Sequence, residues 1–155
     1  DLPPGTGDIP LTLAQTIPIT GILVVTTPQD VASNVAVKAI GMFEKLNVPI
    51  LGVIENMSHF ICPSCNDKHY IFGEGGAKKI SEQFKIPFLG EIPLNSGIMS
   101  GSDLGKPIMI TNPDSPSANA FRKSAKNIAA QCSILAAKMQ EEMKSESTNE
   151  SIPTS

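Results

Sequence analysis

Apolar residues fall along the chain in short blocks whose spacing alternates between two periods. Residues 21–26 (GILVVT) are apolar until the first threonine, the pattern of a strand covered on both faces. From Asp30 to about Leu46, the residues Val31, Val35, Ile40, Phe43 and Leu46 recur as an approximate helical stripe, with Asp30 or Thr27 placed to cap it. Residues 49–55 (PILGVIE) predict a second strand that ends at Asn56, with a loop from Met57 to about Ile71. Gly73, Gly75 and Gly76 punctuate the chain before a helix over residues 77–84. A third strand is predicted over residues 87–92 and stopped by Pro93, with a loop running on past Asp103. Ile108, Met109 and Ile110 read as a short edge element or an extended link. The best-marked helix is the last. Ser115 is a good N-cap, Pro116 suits the first helical position, and Phe121, Ala125, Ile128, Cys132, Leu135 and Met139 define one face.

This rhythm is that of an α/β fold, an open and mostly parallel sheet flanked by helices. Such sheets do their chemistry at the carboxyl ends of the strands. Three clusters are predicted there: residues 26–29, Asn56 with the loop after it, and residues 93–103. A fourth is the opening stretch, residues 1–8 (DLPPGTGD), a turn of the kind that follows a strand. The expectation is therefore a domain part over residues 1–142, truncated on its amino-terminal side. A short helix over residues 9–17 follows the turn. Residues 143–155, rich in Ser, Thr, Glu and Asn, are expected to form a disordered acidic tail.

Composition narrows the function classes. The chain has 155 residues, 41% hydrophobic and 17% charged, which suits one folded unit. The net charge of −3 is accounted for by Glu141, Glu142, Glu146 and Glu150 against Lys144, and the rest of the chain is balanced. No basic block points to nucleic acid, and no apolar run approaches a membrane span. The 3 cysteines are too few for a disulfide scaffold and fit a reducing compartment.

Two stretches carry candidate chemistry. In the opening turn, Asp1 can hold a water of a magnesium shell, the glycines around Gly5 let backbone N–H groups approach a phosphate, and Asp8 can orient a water or a cation. A purely structural Pro/Gly turn is the competing reading. No GxxxxGK[ST] loop occurs in the sequence, so the lysine and phosphate cradle of nucleotide hydrolysis are not in this chain, and it should be inactive as an ATPase alone.

The second stretch is Cys62-Pro63-Ser64-Cys65. Two thiolates at this spacing can point at one soft metal, but a four-ligand site or a cubane cluster is only half supplied. A symmetric dimer would bring two such pairs together and complete four thiolates. The alternatives are a zinc site built from His59, Cys62, Cys65 and His69, a thiol–disulfide pair, or two free surface thiols. Cys132 reads as a core residue of the last helix. Asn56 can read an adenine edge with its amide, or simply form a turn.

Taken in order, DLPPGTGD, Thr27-Pro28-Gln29-Asp30-Val31-Ala32, Val48-Pro49-Ile50-Leu51-Gly52, Glu55-Asn56-Met57-Ser58, the cysteine pair, Ile71-Phe72-Gly73 and Leu89-Gly90-Glu91-Ile92-Pro93-Leu94 resemble the carboxyl-terminal half of the Mrp/ApbC-type iron–sulfur cluster carriers. These are P-loop ATPases of the MinD and nitrogenase iron-protein group. The resemblance covers about residues 1–130. It implies a 4Fe-4S cluster bridging a homodimer through Cys62 and Cys65, passed on to recipient apoproteins, with ATP and magnesium in the intact protein. It also implies Asp1 at the magnesium shell, Gly5 beside the terminal phosphate, and Asn56 at the adenine with the Pro93 loop closing over the base. Cytoplasm, or the mitochondrial matrix in a eukaryote, is the expected compartment. Two positions depart from the family pattern: Val35 and Met99 stand where many members carry Asp and Arg. A non-catalytic zinc module and a MinD-like positioning ATPase are the alternatives. The second would want a basic amphipathic end, which the Glu- and Ser-rich terminus does not supply.

Overall fold

The computed structural model describes Leu2 and residues 7–149. The elements follow in the order α1 (Asp8–Thr16), β1 (Ile22–Thr26), α2 (Asp30–Lys45), β2 (Ile50–Ile61), β3 (Lys68–His69), α3 (Gly76–Phe84), β4 (Phe88–Leu94), α4 (Ser96–Asp103), α5 (Ile108–Thr111) and α6 (Pro116–Asn149). β2 is the centre of the sheet. It runs parallel to β1 on one side and to β4 on the other, and its far end pairs antiparallel with β3.

Successive side chains of a strand face opposite ways, and both faces here are apolar. On one face Val24 and Val53 pack with Ala36 and Ile40 of α2 and with Ala77 and Ile80 of α3. On the other, Ile54, Leu89 and Ile92 meet Ala120 and Ile128 of α6. Ile40 and Val53 are fully enclosed. The result is the three-layer α/β arrangement that the continuous apolar strands predict.

Five elements differ from the sequence reading. β2 does not end before Asn56 but continues to Ile61, because Phe60 and Ile61 find partners in β3 and Phe60 also pairs with Leu94. Pro93 lies inside β4, buried, instead of opening a loop. The loop expected after it is helix α4, started by Asn95, whose side chain accepts the Gly97 N–H at 2.7 Å. Residues 108–111 form one helical turn, not an extended piece. α6 behaves as expected at its start, where Ser115 Oγ accepts the Ala118 N–H at 3.1 Å. It then runs to Asn149, well into the stretch expected to be a disordered tail. No Pro or Gly interrupts residues 143–149, and Glu, Met and Lys there favour helix. Residues 150–155 lie outside the described residues.

The turn before α3 is organised by a residue the sequence did not mark. Gly75 caps α3 in the left-handed region, φ 73°, and offers no side chain to the helix's free N–H groups. Glu55, 3% exposed, supplies the acceptor from β2: its Oε2 takes the Ala77 N–H at 2.8 Å. A carboxylate at that position also faces the positive end of the helix dipole. Glu55→Ala should lower stability by about 1–3 kcal/mol, with Glu55→Gln losing less because an acceptor remains. Urea melts of the two variants that coincide with wild type would refute the capping role.

Candidate metal centre and strand-end cavity

The cysteine pair lies at the tip of a hairpin that extends β2 beyond the body of the sheet. Phe60 pairs with His69 and Ile61 with Lys68. The turn closes through Cys62 N–H to Asp67 O at 3.0 Å and Asn66 N–H to Cys62 O at 2.9 Å. Asn66 takes the left-handed conformation, φ 60°, that Asn tolerates better than most residues. Cys62 is half-buried and Cys65 exposed, both as free thiols. The ligand atoms of Cys62, Cys65 and His69 all lie within 4.8 Å of one another. The backbone N–H of Cys65 chiefly, then that of Ser64 and the Cys65 thiol, direct hydrogen bonds at the Cys62 sulfur and hold its pKa below that of an ordinary cysteine. The turn is thus shaped to favour a thiolate. Cys132, half-buried on α6, is not part of this group.

His59 does not join the cysteines. It lies on the face of β2 opposite to Phe60 and Cys62, and is buried with Nδ1 2.9 Å from Ser58 Oγ and 4.0 Å from Glu91 Oε2. The four-ligand set of two histidines and two cysteines is therefore reduced to three. Burial first, and the Lys68 cation second, push the His59 pKa down, against weaker pulls from Glu91 and Glu55. The unfolded chain takes up this proton near pH 6.5 and the folded chain only at lower pH. Stability should therefore fall as the pH drops below about 6.5 towards the folded value. His59→Gln should flatten that part of the profile, and equal slopes for the variant and wild type in denaturant melts across this range would overturn the assignment.

A second feature runs along the whole of β1 to its carboxyl end. A cavity of about 790 Å³ is lined by β1, the inner side of α2 and Asn56, with Leu2 and Pro10 at its border. Thr26 and Thr27 stand at its polar end, where Thr27 Oγ1 donates to Gln29 Oε1 at 2.6 Å. Val35 is part of its apolar wall. Asn56 uses its Oδ1 to accept the Met57 N–H at 3.0 Å. Pro93 instead lines a smaller cavity, about 430 Å³, with His59, Lys68, Glu91 and residues of α6. The structure thus places Asn56 and Pro93 on neighbouring strands but in different cavities. Asp8 is exposed at the start of α1, just ahead of Pro10. Asp1 and Gly5 lie outside the described residues.

Residues 1–129 match the protein family described as ParA, NUBPL iron-transfer P-loop NTPase. The chain belongs to that family. Among its relatives is the iron-sulfur cluster transfer protein NUBPL of Dictyostelium discoideum, 50% identical over 135 residues, covering 87% of this chain and 42% of that protein. The iron-sulfur cluster carrier protein of Aquifex aeolicus is 52% identical over 126 residues, covering 81% and 35%. The chain therefore spans about two fifths of the length of the curated relatives it matches. Among solved structures, the nucleotide-binding protein of Archaeoglobus fulgidus, in complex with ADP and with cobalt, is 42% identical with a TM-score of 0.64, over 77% of this chain and 48% of that one. The cell division ATPase MinD of Pyrococcus furiosus is 28% identical with a TM-score of 0.54, over 70% and 41%. The open sheet is accordingly that of the MinD-like P-loop NTPases. Among the described residues, no helix of this NUBPL-family chain is long and apolar enough to cross a membrane.

Glu55, which supports α3 beside the site, was not singled out by pattern: it lies inside an apolar strand, although a glycine-rich helix start with no capping side chain already asks for a distant acceptor. His69 was named as a ligand together with His59, and only the hairpin register tells them apart.

Proposed function

We propose that this chain is the cargo-holding part of an iron–sulfur cluster carrier. Cys62 and Cys65 of one copy, with the same pair from a second copy, hold a 4Fe-4S cluster that is handed to recipient apoproteins. The observation that carries this is the pair of thiols at an accessible hairpin tip, their sulfurs within 4.8 Å, in a chain of the iron-transfer family. One chain offers two thiolates and a cubane asks for four, so the second copy completes the ligand set. An exposed tip also lets an acceptor's thiolates approach and replace them one at a time. The iron–sulfur carriers among the relatives support the cargo, and the cobalt of the Archaeoglobus protein supports metal affinity in this fold.

We place ATP and magnesium at the strand ends in a protein of the relatives' length. The assigned groups are Asp1, Gly5 and Asp8 for the phosphate and metal, and Asn56 and Pro93 for the base. The ADP of the Archaeoglobus protein supports nucleotide binding in this fold. The apolar wall of the cavity beside Asn56 is suited to a flat ring. Such cargo calls for a reducing compartment, the cytoplasm or the mitochondrial matrix.

Anaerobic reconstitution with iron and sulfide tests the reading. About four irons per two chains, the broad visible absorption of a cluster, and transfer to an apo-acceptor in the presence of an iron chelator are expected. Iron at background with no visible band would sink it.

A further inference from the structure

The hairpin does more than present two thiols. In an antiparallel pair, residues directly opposite share a face, and residues two positions along are diagonal neighbours on that same face. His69 is opposite Phe60, and Cys62 is two residues beyond Phe60, so His69 and Cys62 share a face. The turn folds Cys65 back over it, closed by the Cys62–Asp67 and Asn66–Cys62 hydrogen bonds. A register one residue different would put Lys68 where His69 stands, and the site would have a cation in place of a ligand.

We propose that Cys62, Cys65 and His69 of a single chain bind one tetrahedral divalent ion of the zinc class, with the fourth position open to water or to a group from another molecule. Two thiolates and an imidazole are the donor set that zinc and cobalt accept and that magnesium and calcium do not. With bonds of about 2.0–2.3 Å, a tetrahedral site spaces its ligand atoms about 3.5–3.8 Å apart. The three atoms lie within 4.8 Å without an ion, so closure asks for a movement on the order of 1 Å. Side chains at an exposed hairpin tip make such a movement by small rotations. His59 is excluded by facing the other way, where its Nδ1 meets Ser58.

This site is distinct from the cluster reading and does not depend on it. The ion needs one chain and uses His69, whereas the cluster needs two chains and four thiolates. Because both use Cys62 and Cys65, ion and cluster exclude one another, and a chain loaded with the ion is withheld from cluster uptake until the ion leaves.

Titration of the reduced, metal-free chain with Co2+ under argon tests the proposal. Saturation is expected at one ion per chain, with tetrahedral ligand-field bands and thiolate-to-cobalt charge transfer, while sedimentation shows monomers. His69→Ala should weaken Co2+ binding at least about tenfold. His69→Cys should restore it with stronger charge transfer, a rescue that a merely structural His69 would not show. Unchanged affinity in His69→Ala, or saturation at one ion per two chains with a four-thiolate spectrum, would overturn it. Cluster reconstitution of His69→Ala separates the two readings, since its iron content should stay at the wild-type level. A chain that takes one Co2+ but no cluster supports the ion site and removes the carrier function.

Discussion

Cys62→Ser and Cys65→Ser, each alone, should abolish cluster binding and leave the folded chain intact. Each substitution removes one thiolate per chain, so a site shared by two chains falls from four sulfur ligands to two. A serine hydroxyl does not replace a thiolate for iron in a cubane. Bound iron after reconstitution should fall at least about tenfold, and the visible band should vanish. Stability should move by no more than about 0.5 kcal/mol, since both side chains are at the hairpin tip, outside the two buried clusters of the core. Cys132→Ser is the comparison: it removes a thiol from α6, outside the hairpin group, and iron content should remain at the wild-type value. Wild-type iron content in either tip variant would show that the cluster is held elsewhere.

Gly52→Ala should be the most damaging single methyl group that can be added to the sheet centre. Gly52 has φ 147°, outside the range comfortable for other residues, and lies at the slip in the β1–β2 register, one residue before the slip between β2 and β4. A Cβ there would collide with the Pro87 carbonyl oxygen and come within 2.7 Å of Leu89 Cγ. The oxygen has no freedom to withdraw, because it accepts the Val53 N–H at 2.9 Å. Backbone strain and overpacking act together, and a loss of about 3 kcal/mol or more is expected. For a domain of marginal stability this is a large share of the total. Urea unfolding reads it directly, as a midpoint shifted down with little change in slope. A variant that melts with wild type would mean that β2 and β4 are not packed as described. Cluster content per folded chain should not change, since the hairpin lies at the far end of β2.

The parts of the fold that were legible in the sequence are those where one local signal dominates. β1 is a single apolar run, α2 and the first half of α6 repeat at the helical period, and the Ser115-Pro116 start of α6 is unambiguous. The parts that were not legible depend on a partner. Asn56-Met57-Ser58-His59 reads as a strand end and the start of a loop, yet Ser58 and His59 are buried in a strand because Ser58 Oγ donates to Ile92 O at 3.2 Å and β3 and β4 pair beyond them. α4 is poor in helix formers and rich in Ser and Gly, and begins because Asn95 caps it. The site divides in the same way. The cysteine spacing names itself, whereas the choice between His59 and His69 follows from strand parity, which depends on where the hairpin turns.

The course of β2 has a mechanical consequence. The strand pairs with β1 from Ile50 to Glu55 and with β4 from Val53 to Asn56, and the pairing with β4 resumes only at Phe60. Between these two stiff lengths, Met57 takes φ 53°, and the N–H and hydroxyl groups of residues 57 and 58 are held by Asn56 Oδ1 and the Ile92 carbonyl. The strand is therefore spliced, with side-chain bonds setting the stiffness of the splice. Asn56 lies on one side of it, at the cavity, and Cys62 on the other, about 20 Å away at the rise of an extended chain. An amide that turned from the Met57 N–H towards a bound base would slacken the splice at the moment the cavity filled. The two ends are too distant to touch, so the sulfurs would register such an event as a change in how firmly the hairpin is held.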